Sequence, residues 1–119
     1  MYEAMKVLLV EDDATVRAGS AQALDLAGFQ VEAFHAAEQA LAKVAAGFAG
    51  VIVTDVRLPG MSGLDLMAAV KAIDAQLPVV LVTGHGDITM AVNAMRDGAY
   101  DFIAKPYSCL LYTSPSPRD

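Results

Sequence analysis

Short runs of Val, Leu and Ile recur along this chain, and each is followed by a stretch with helical spacing. Residues 7–10, 51–53 and 79–82 are nearly continuous apolar segments. Strands that are covered on both faces of a parallel sheet have this composition. Residues 29–34 alternate more between apolar and polar side chains and predict an edge strand. Residues 100–104 predict a last strand.

Between these predicted strands, apolar residues recur at intervals of three and four, which is typical of helices with one packed face. The pattern predicts four helices, which end at or before Gly28, Gly47, Pro78 and Gly98. Their predicted packed faces are Val16, Ser20, Ala23, Leu24 and Ala27; Ala37, Ala40, Leu41 and Val44; Leu66, Val70 and Ile73; and Ile88, Ala91, Val92 and Met95. Alternating strands and helices indicate an α/β fold, a doubly wound open parallel sheet with helices on both faces.

Length and composition limit the class of protein further. The 119 residues suit one domain, and a hydrophobic content of 55% is enough for a core. The net charge of −6 argues against direct nucleic-acid binding and against electrostatic attachment to a membrane. We expect a cytoplasmic protein, because the chain has one cysteine, no signal-peptide pattern and no apolar run long enough to span a bilayer.

The end of the chain breaks the rhythm of strands and helices. Residues 108–119 have no helical period and contain two Ser-Pro pairs, which oppose a helix. We therefore predict one domain over residues 1–107 and an irregular tail over residues 108–119. The tail resembles a cloning or sequencing-adapter scar, so we interpret it as artificial sequence that replaced natural sequence.

Reactive side chains end four of the five predicted strands. In chain order they are Glu11-Asp12-Asp13, Asp55, Thr83, and Lys105 followed by Pro106. The carboxyl ends of parallel strands lie side by side, and ligands bind there in open α/β sheets. We therefore expect these side chains to gather at one edge of the sheet.

Carboxylates gathered in this way repel one another unless a proton or a divalent cation neutralises them. Oxygen ligands with no His or Cys nearby favour Mg²⁺ over Zn²⁺, and Mg²⁺ can bridge carboxylate and phosphate oxygens. Lys105 would add a positive charge and Thr83 a hydroxyl donor. An aspartate carboxylate is also an established nucleophile that forms an acyl phosphate, so the cluster predicts a phosphoryl-binding site.

Four segments, at residues 7–13, 54–63, 82–84 and 104–106, resemble the receiver domain of two-component response regulators. The resemblance covers residues 5–107. Each motif is weak alone, but four in the right order and at the right spacing are specific. Within the family, the segments 81–87 and 97–106 are most similar to receivers of NtrC-type regulators, especially the regulators of C4-dicarboxylate transport.

This resemblance implies a phosphoacceptor and a set of Mg²⁺ ligands. Asp55 matches the phosphoacceptor and also a metal ligand. Asp12 matches the direct metal ligand, Glu11 the acid that holds a metal-bound water, and Arg57 the residue whose backbone carbonyl binds the metal. Asp13 lies one residue beyond the metal pair, where a carboxylate suits a helix cap; we favour the cap over a direct ligand.

The resemblance also implies a switch. Thr83 and Lys105 match the two residues that sense the phosphoryl group, and Phe102 matches the aromatic residue that changes rotamer with Thr83. Pro106 matches a position where the preceding peptide bond is cis in the family. None of these roles makes the domain an enzyme; the output is signalling.

The family fold is a flavodoxin-like sheet with strand order 2-1-3-4-5, in which the first and fifth helices cover one face. The fifth helix should begin after Tyr107, so the irregular tail implies that it is missing. The implied partners are a sensor histidine kinase, an ATPase domain and a DNA-binding domain downstream that activates transcription. When the fifth helix is intact, the resemblance also implies a homodimer through the fourth helix, fifth strand and fifth helix.

Two other functions compete with this interpretation. A Mg²⁺-dependent phosphatase of the haloacid dehalogenase type also uses Asp, Thr and Lys, but it requires Asp-x-Asp-x-Thr after the first strand. This chain has Glu11 at the nucleophile position and lacks the usual cap domain. A receiver fold that no longer signals would be expected to lose an acid, the Thr or the Lys, and all of them are present here.

Overall fold

The sheet and its helices are described by a computed structural model over residues 5–45, 47–83 and 88–104. The strands are β1 (Lys6–Val10), β2 (Gln30–Phe34), β3 (Gly50–Asp55), β4 (Val79–Thr83) and β5 (Asp101–Ala104). The helices are α1 (Ala14–Leu26), α2 (Ala37–Leu41), α3 (Gly63–Ile73) and α4 (Ile88–Arg96). The tail at residues 108–119 lies outside the described residues, so the predicted absence of the fifth helix stays a prediction. In the described part of the chain, no helix is long and apolar enough to cross a membrane.

The five strands form one parallel sheet in the order β2-β1-β3-β4-β5. β2 lies at one edge, as its alternating sequence predicted. In the register of the central strands, Val10 lies beside Thr54, and Asp55 beside Val82. The carboxyl ends of β1, β3 and β4 are therefore level with one another, which confirms the arrangement on which the predicted site depends.

Alternate side chains of the central strands pack on opposite faces of the sheet. Leu8, Ile52 and Leu81 belong to a core that α2, α3 and α4 cover, with Leu66 of α3 fully buried in it. The other face has a smaller cluster of buried residues beneath α1, which consists of Val7, Leu9, Val53 and Val82. Since both faces are covered, these strands have nearly continuous apolar sequences.

Helix α2 is shorter than its apolar pattern predicted. It ends at Leu41, and the backbone hydrogen bonds that follow are shorter in range. Lys43 N donates to Ala40 O at 2.9 Å, and Val44 N donates to Leu41 O at 3.0 Å. These bonds connect residues three apart, as in a 3₁₀ turn. Val44 is nevertheless buried in the core. The spacing therefore predicted the burial of Val44 correctly, but not the end of the helix.

The packed face predicted for α4 is also partly wrong. Val92 and Met95 are 43% and 37% exposed, whereas Ala94 is buried. Successive helical residues are about 100° apart, so Val92 and Met95 lie well away from a contact line centred on Ala94. The side chains of Ile88 and Ala91, which belong to the same predicted face, lie outside the described part.

Candidate functional site

Three carboxylates meet at the carboxyl edge of the sheet. Glu11 and Asp12 directly follow β1, and Asp55 is the last residue of β3. One oxygen of each side chain lies within 4.8 Å of the oxygens of the other two. The structure therefore brings together the three acids that the sequence predicted at this place.

Two of these acids are removed from solvent. Glu11 is 4% exposed and Asp55 is 5% exposed, while Asp12 is exposed. Burying charged groups is unfavourable unless an opposite charge or hydrogen bonds compensate them. Three hard carboxylate oxygens at this spacing suit a divalent cation such as Mg²⁺, which keeps several of its waters and takes only a few protein ligands. The donor set therefore fits the metal that the sequence predicted.

The main chain around Asp55 orients its carboxylate. Oδ1 of Asp55 accepts a hydrogen bond from the backbone N–H of Arg57 at 3.2 Å. The carbonyl oxygen of Asp55 accepts a bond from the hydroxyl of Thr54 at 3.1 Å, and Val56 N donates to Val82 O of β4 at 3.0 Å. The carboxylate thus projects from a backbone that is fixed on both sides.

Asp13 is a helix cap in the structure. Its Oδ1 accepts a hydrogen bond from Val16 N at 3.0 Å, and its backbone is extended as an N-cap requires. Its own N–H donates to Oε2 of Glu11 at 3.2 Å. The cap favoured from the sequence is therefore confirmed, and Asp13 orients one of the acids without joining their cluster.

Thr83 is the polar residue of β4 at this edge. Its side chain is fully buried, and its hydroxyl has no hydrogen-bond partner within the described residues. An unsatisfied buried hydroxyl costs about 1–3 kcal/mol. Phe102 of β5 is half-buried and packs against the core on the same face as Leu81, its partner in the register. In the register Thr83 pairs with Ala104, two residues beyond Phe102, so Thr83 and Phe102 lie diagonally across adjacent strands.

The remaining predicted site residues, Lys105 and Pro106, lie outside the described residues. The ammonium group expected beside the acids and the cis peptide bond expected before Pro106 therefore stay predictions. Arg57 is described, and its backbone N–H bonds to Asp55.

Three contacts at this edge were not anticipated from the sequence. Nη1 of Arg17 donates to Glu11 O at 2.9 Å, so a cation of α1 fixes the backbone of the acid pair. Arg17 and Glu11 are six residues apart in sequence, which is not the spacing of a recognised motif. Glu38 accepts a long bond from Met61 N at 3.4 Å across 23 residues. The third contact is the capping box at the start of α3, in which Ser62 and Asp65 bond to each other's backbone N–H. Of the three contacts, only this one has a sequence spacing that could have been recognised.

Known proteins match both the sequence and the fold. Residues 7–109 match the response regulator receiver domain family. The C4-dicarboxylate transport transcriptional regulatory protein of Rhizobium meliloti (strain 1021) is 53% identical over 91% of this chain. The chain spans 24% of that relative's length. The likeness to regulators of C4-dicarboxylate transport expected from the sequence is therefore confirmed.

Solved structures agree. The crystal structure of FixJ-N is 37% identical to this chain with a TM-score of 0.77, and the match covers 96% of this chain and 93% of that one. NtrX from Brucella abortus, crystallised with ADP, is 33% identical with a TM-score of 0.78, over 95% of this chain and 26% of that one. By sequence and by fold, this chain belongs to the receiver domain family of two-component response regulators.

Proposed function

We propose that this domain is an active phosphoacceptor, in which Asp55 takes a phosphoryl group from a sensor histidine kinase with Mg²⁺ bound beside it. The observation that carries the proposal is the cluster of Glu11, Asp12 and Asp55, with oxygens within 4.8 Å of one another and two of the three side chains buried. A buried acid cluster contributes little to folding, so its presence favours a chemical role.

In the proposed reaction, a carboxylate oxygen of Asp55 attacks the phosphorus of a phosphohistidine. The new O–P bond forms as the P–N bond breaks, and the electron pair of that bond returns to the histidine ring. The backbone N–H of Arg57 donates to Oδ1 of Asp55 and so helps to orient the attacking carboxylate at the end of β3. Mg²⁺ would be held by Asp12, Asp55, the carbonyl of Arg57 and a water bound to Glu11. It would neutralise negative charge on the phosphoryl oxygens.

Thr83 and Lys105 would detect the product. The hydroxyl of Thr83 is buried without a partner in the described chain, and a phosphoryl oxygen on Asp55 would provide an acceptor for it. Lys105 would pair its ammonium group with another phosphoryl oxygen. Movement of Thr83 would leave space for Phe102, and the surface formed by α4 and β5 would change with it.

The output is proposed from the relatives. The name of the Rhizobium meliloti relative describes a transcriptional regulator, and the resemblance to NtrC-type regulators implies an ATPase and a DNA-binding domain downstream. Phosphorylation of this domain would control those two domains in the cytoplasm. In a full-length regulator with an intact fifth helix, that helix and the surface of α4 and β5 would form a homodimer.

Phosphorylation by acetyl phosphate tests the proposal. In the presence of Mg²⁺, intact-mass spectrometry should show one added phosphoryl group. This group should be lost at high pH, because an acyl phosphate hydrolyses there. Asp55→Asn should abolish the addition, whereas the control Asp25→Asn, which removes an exposed acid of α1, should not. If Asp55→Asn accepted phosphate as well as the parent does, the assignment of Asp55 would be wrong.

The competing phosphatase function predicts turnover instead of a stable product. We expect incubation with p-nitrophenyl phosphate and Mg²⁺ to release no more than one equivalent of p-nitrophenol. Multiple turnovers by the parent, together with no turnover by Asp55→Asn, would establish an enzyme and refute the receiver function.

Hydrogen exchange distinguishes a signalling receiver from an inert one. Beryllofluoride, which mimics the phosphoryl group, should alter amide protection across residues 87–105 in the presence of Mg²⁺. Unchanged protection in a protein that binds beryllofluoride would indicate a domain that no longer switches.

A further inference from the structure

Helix α3 begins unusually close to the backbone of Asp55. A Cβ atom built on Gly63, the first residue of α3, would lie 2.9 Å from the carbonyl carbon of Asp55 and 3.0 Å from Cα of Val56, with the Asp55 carbonyl oxygen nearer still. Ordinary contacts of a Cβ atom are 3.4–4 Å. Only glycine fits between the helix and this strand end.

A backbone bond holds this approach, and the helix start has a separate cap of its own. Gly63 N donates to Val56 O at 3.0 Å, which fastens the first residue of α3 to the residue after Asp55. The capping box of Ser62 and Asp65 fixes the start of the helix, with bonds of 3.1 and 3.3 Å. The three atoms nearest to a built Cβ all belong to the backbone, so no rotation of a side chain can relieve these contacts.

We propose that Gly63 is a positioning residue for Asp55: the missing side chain lets α3 support the Asp55 main chain, and that support sets where the carboxylate lies relative to Glu11 and Asp12. This inference rests on the proposed function, since it names what holds the phosphoacceptor in register. A methyl group at position 63 would push the helix and the strand end apart by about half an ångström or more, because packed backbone does not compress.

A displacement of this size matters more for the site than for the fold. Groups in a reactive site must be held within about 0.5 Å of the productive geometry, and a misplacement of about 1 Å can reduce a rate by roughly 100-fold. By intrinsic preference alone, alanine favours a helix more than glycine does. Helix propensity and the contact with Asp55 therefore predict opposite effects of Gly63→Ala.

The test compares Gly63→Ala with two controls. Gly19→Ala makes the same chemical change in α1, where a built Cβ meets nothing within 4 Å. Ser62→Ala removes the cap of α3 and lowers stability, but the lost bond goes to Asp65 and not to Asp55. For each variant we would measure the melting temperature, the Kd for Mg²⁺ and the rate of phosphorylation by acetyl phosphate, well below the melting temperature.

We expect Gly63→Ala to weaken Mg²⁺ binding and to slow phosphorylation by about tenfold or more. Gly19→Ala should match the parent in both measurements, and Ser62→Ala should lower only the melting temperature. If Gly63→Ala does not fold, trimethylamine N-oxide should restore the fold but not the Mg²⁺ affinity.

Parent-like Mg²⁺ affinity and rate in folded Gly63→Ala, with or without the osmolyte, would overturn the inference about Gly63. An equal loss of Mg²⁺ affinity in Ser62→Ala would reduce the role of Gly63 to stability of the helix start and would overturn the inference as well. A parent that neither binds Mg²⁺ nor accepts phosphate would refute the proposed function itself, so the two failures are distinguishable.

Discussion

The middles of the central strands and their carboxyl ends are buried equally deeply but contain opposite chemistry. Ile52 and Leu81 are fully buried apolar side chains, and Thr83 is fully buried as well, next to Asp55 at 5% exposed. Apolar burial contributes about 25 cal/mol per Å², whereas a buried polar group without a partner reduces stability. The apolar strand middles therefore stabilise the fold, whereas the polar strand ends add little to its stability and are the place of the proposed phosphoryl chemistry.

The largest effect that tests this comparison is expected in the strand middle. Ile52→Ala should lower the free energy of unfolding by about 2–5 kcal/mol, because it removes buried methyl groups and leaves a cavity. Urea denaturation measures the change, and the folded fraction should still bind Mg²⁺ as the parent does. In metal-free buffer, Asp55→Asn should destabilise the domain far less or stabilise it, since it removes repulsion between acids. An Asp55→Asn variant as unstable as Ile52→Ala would remove the distinction.

Two buried threonines give a sharper test at the strand ends. Thr83→Val removes a hydroxyl without a partner in the described chain, so the free energy of unfolding should rise by about 1–2 kcal/mol. Thr54→Val removes a hydroxyl that donates to Asp55 O, and the same measurement should show a loss of about 1 kcal/mol. Opposite signs in urea denaturation would support the account. A loss of stability in Thr83→Val would mean that its hydroxyl is satisfied in the folded protein.

A smaller effect separates Asp12 from Asp13, the second and third of the three acids that follow β1. Asp13→Ala should lower stability by about 1 kcal/mol, because it removes the N-cap of α1, and should leave Mg²⁺ affinity close to that of the parent. Asp12→Ala should weaken Mg²⁺ binding and have little effect on metal-free stability. Isothermal titration and urea denaturation measure the two quantities. If Asp13→Ala weakened the metal as much as Asp12→Ala, then Asp13 would be a ligand as well as a cap.

The smallest effect concerns Asp74, far from the site. Bonds from the backbone N–H of Gly47 and then of Gln76, both 3.0 Å, hold the pKa of this carboxyl below its ordinary value of 3.8, with a smaller contribution from Lys71. Because the folded pKa is lowered, the stabilisation is present above pH 3.8 and is lost as the pH falls through the folded pKa.

Asp74→Asn should therefore melt slightly below the parent at neutral pH, and the gap should close on acidification below about pH 4. Asp25→Asn removes another exposed acid and provides the control. A gap between Asp74→Asn and the parent that did not depend on pH would show that the lost bond, and not the charge, makes the difference.

The sequence predicted the strands and the acids of the site because both depend on local patterns. Continuous apolar runs indicated β1, β3 and β4, and the acids followed directly from where those runs stop. The end of α2 was missed because Val44 is buried in a tight turn, and burial alone gives the same spacing as a helix. The face of α4 was partly missed because its apolar stripe is wider than the strip that contacts the core.

The supports of the site were harder to predict, because they join residues that are distant in sequence. Arg17 bonds to the carbonyl of Glu11, and Glu38 bonds to Met61 across 23 residues. The contact between Gly63 and Asp55 depends on how α3 lies against β3, which no spacing of residues specifies. The clustered acids were therefore predictable, and the residues that hold them were not.

Melting of the domain with and without Mg²⁺ tests the central claim most directly, namely that the acids at the carboxyl edge form one cation site. At ten times its Kd, Mg²⁺ should stabilise the parent by about 1.4 kcal/mol, which corresponds to a rise of roughly 5 °C in the melting temperature. The control Asp25→Ala should show the same rise, and Asp12→Ala should show little or none. An unchanged melting temperature in the parent, or an equal rise in Asp12→Ala, would contradict the account.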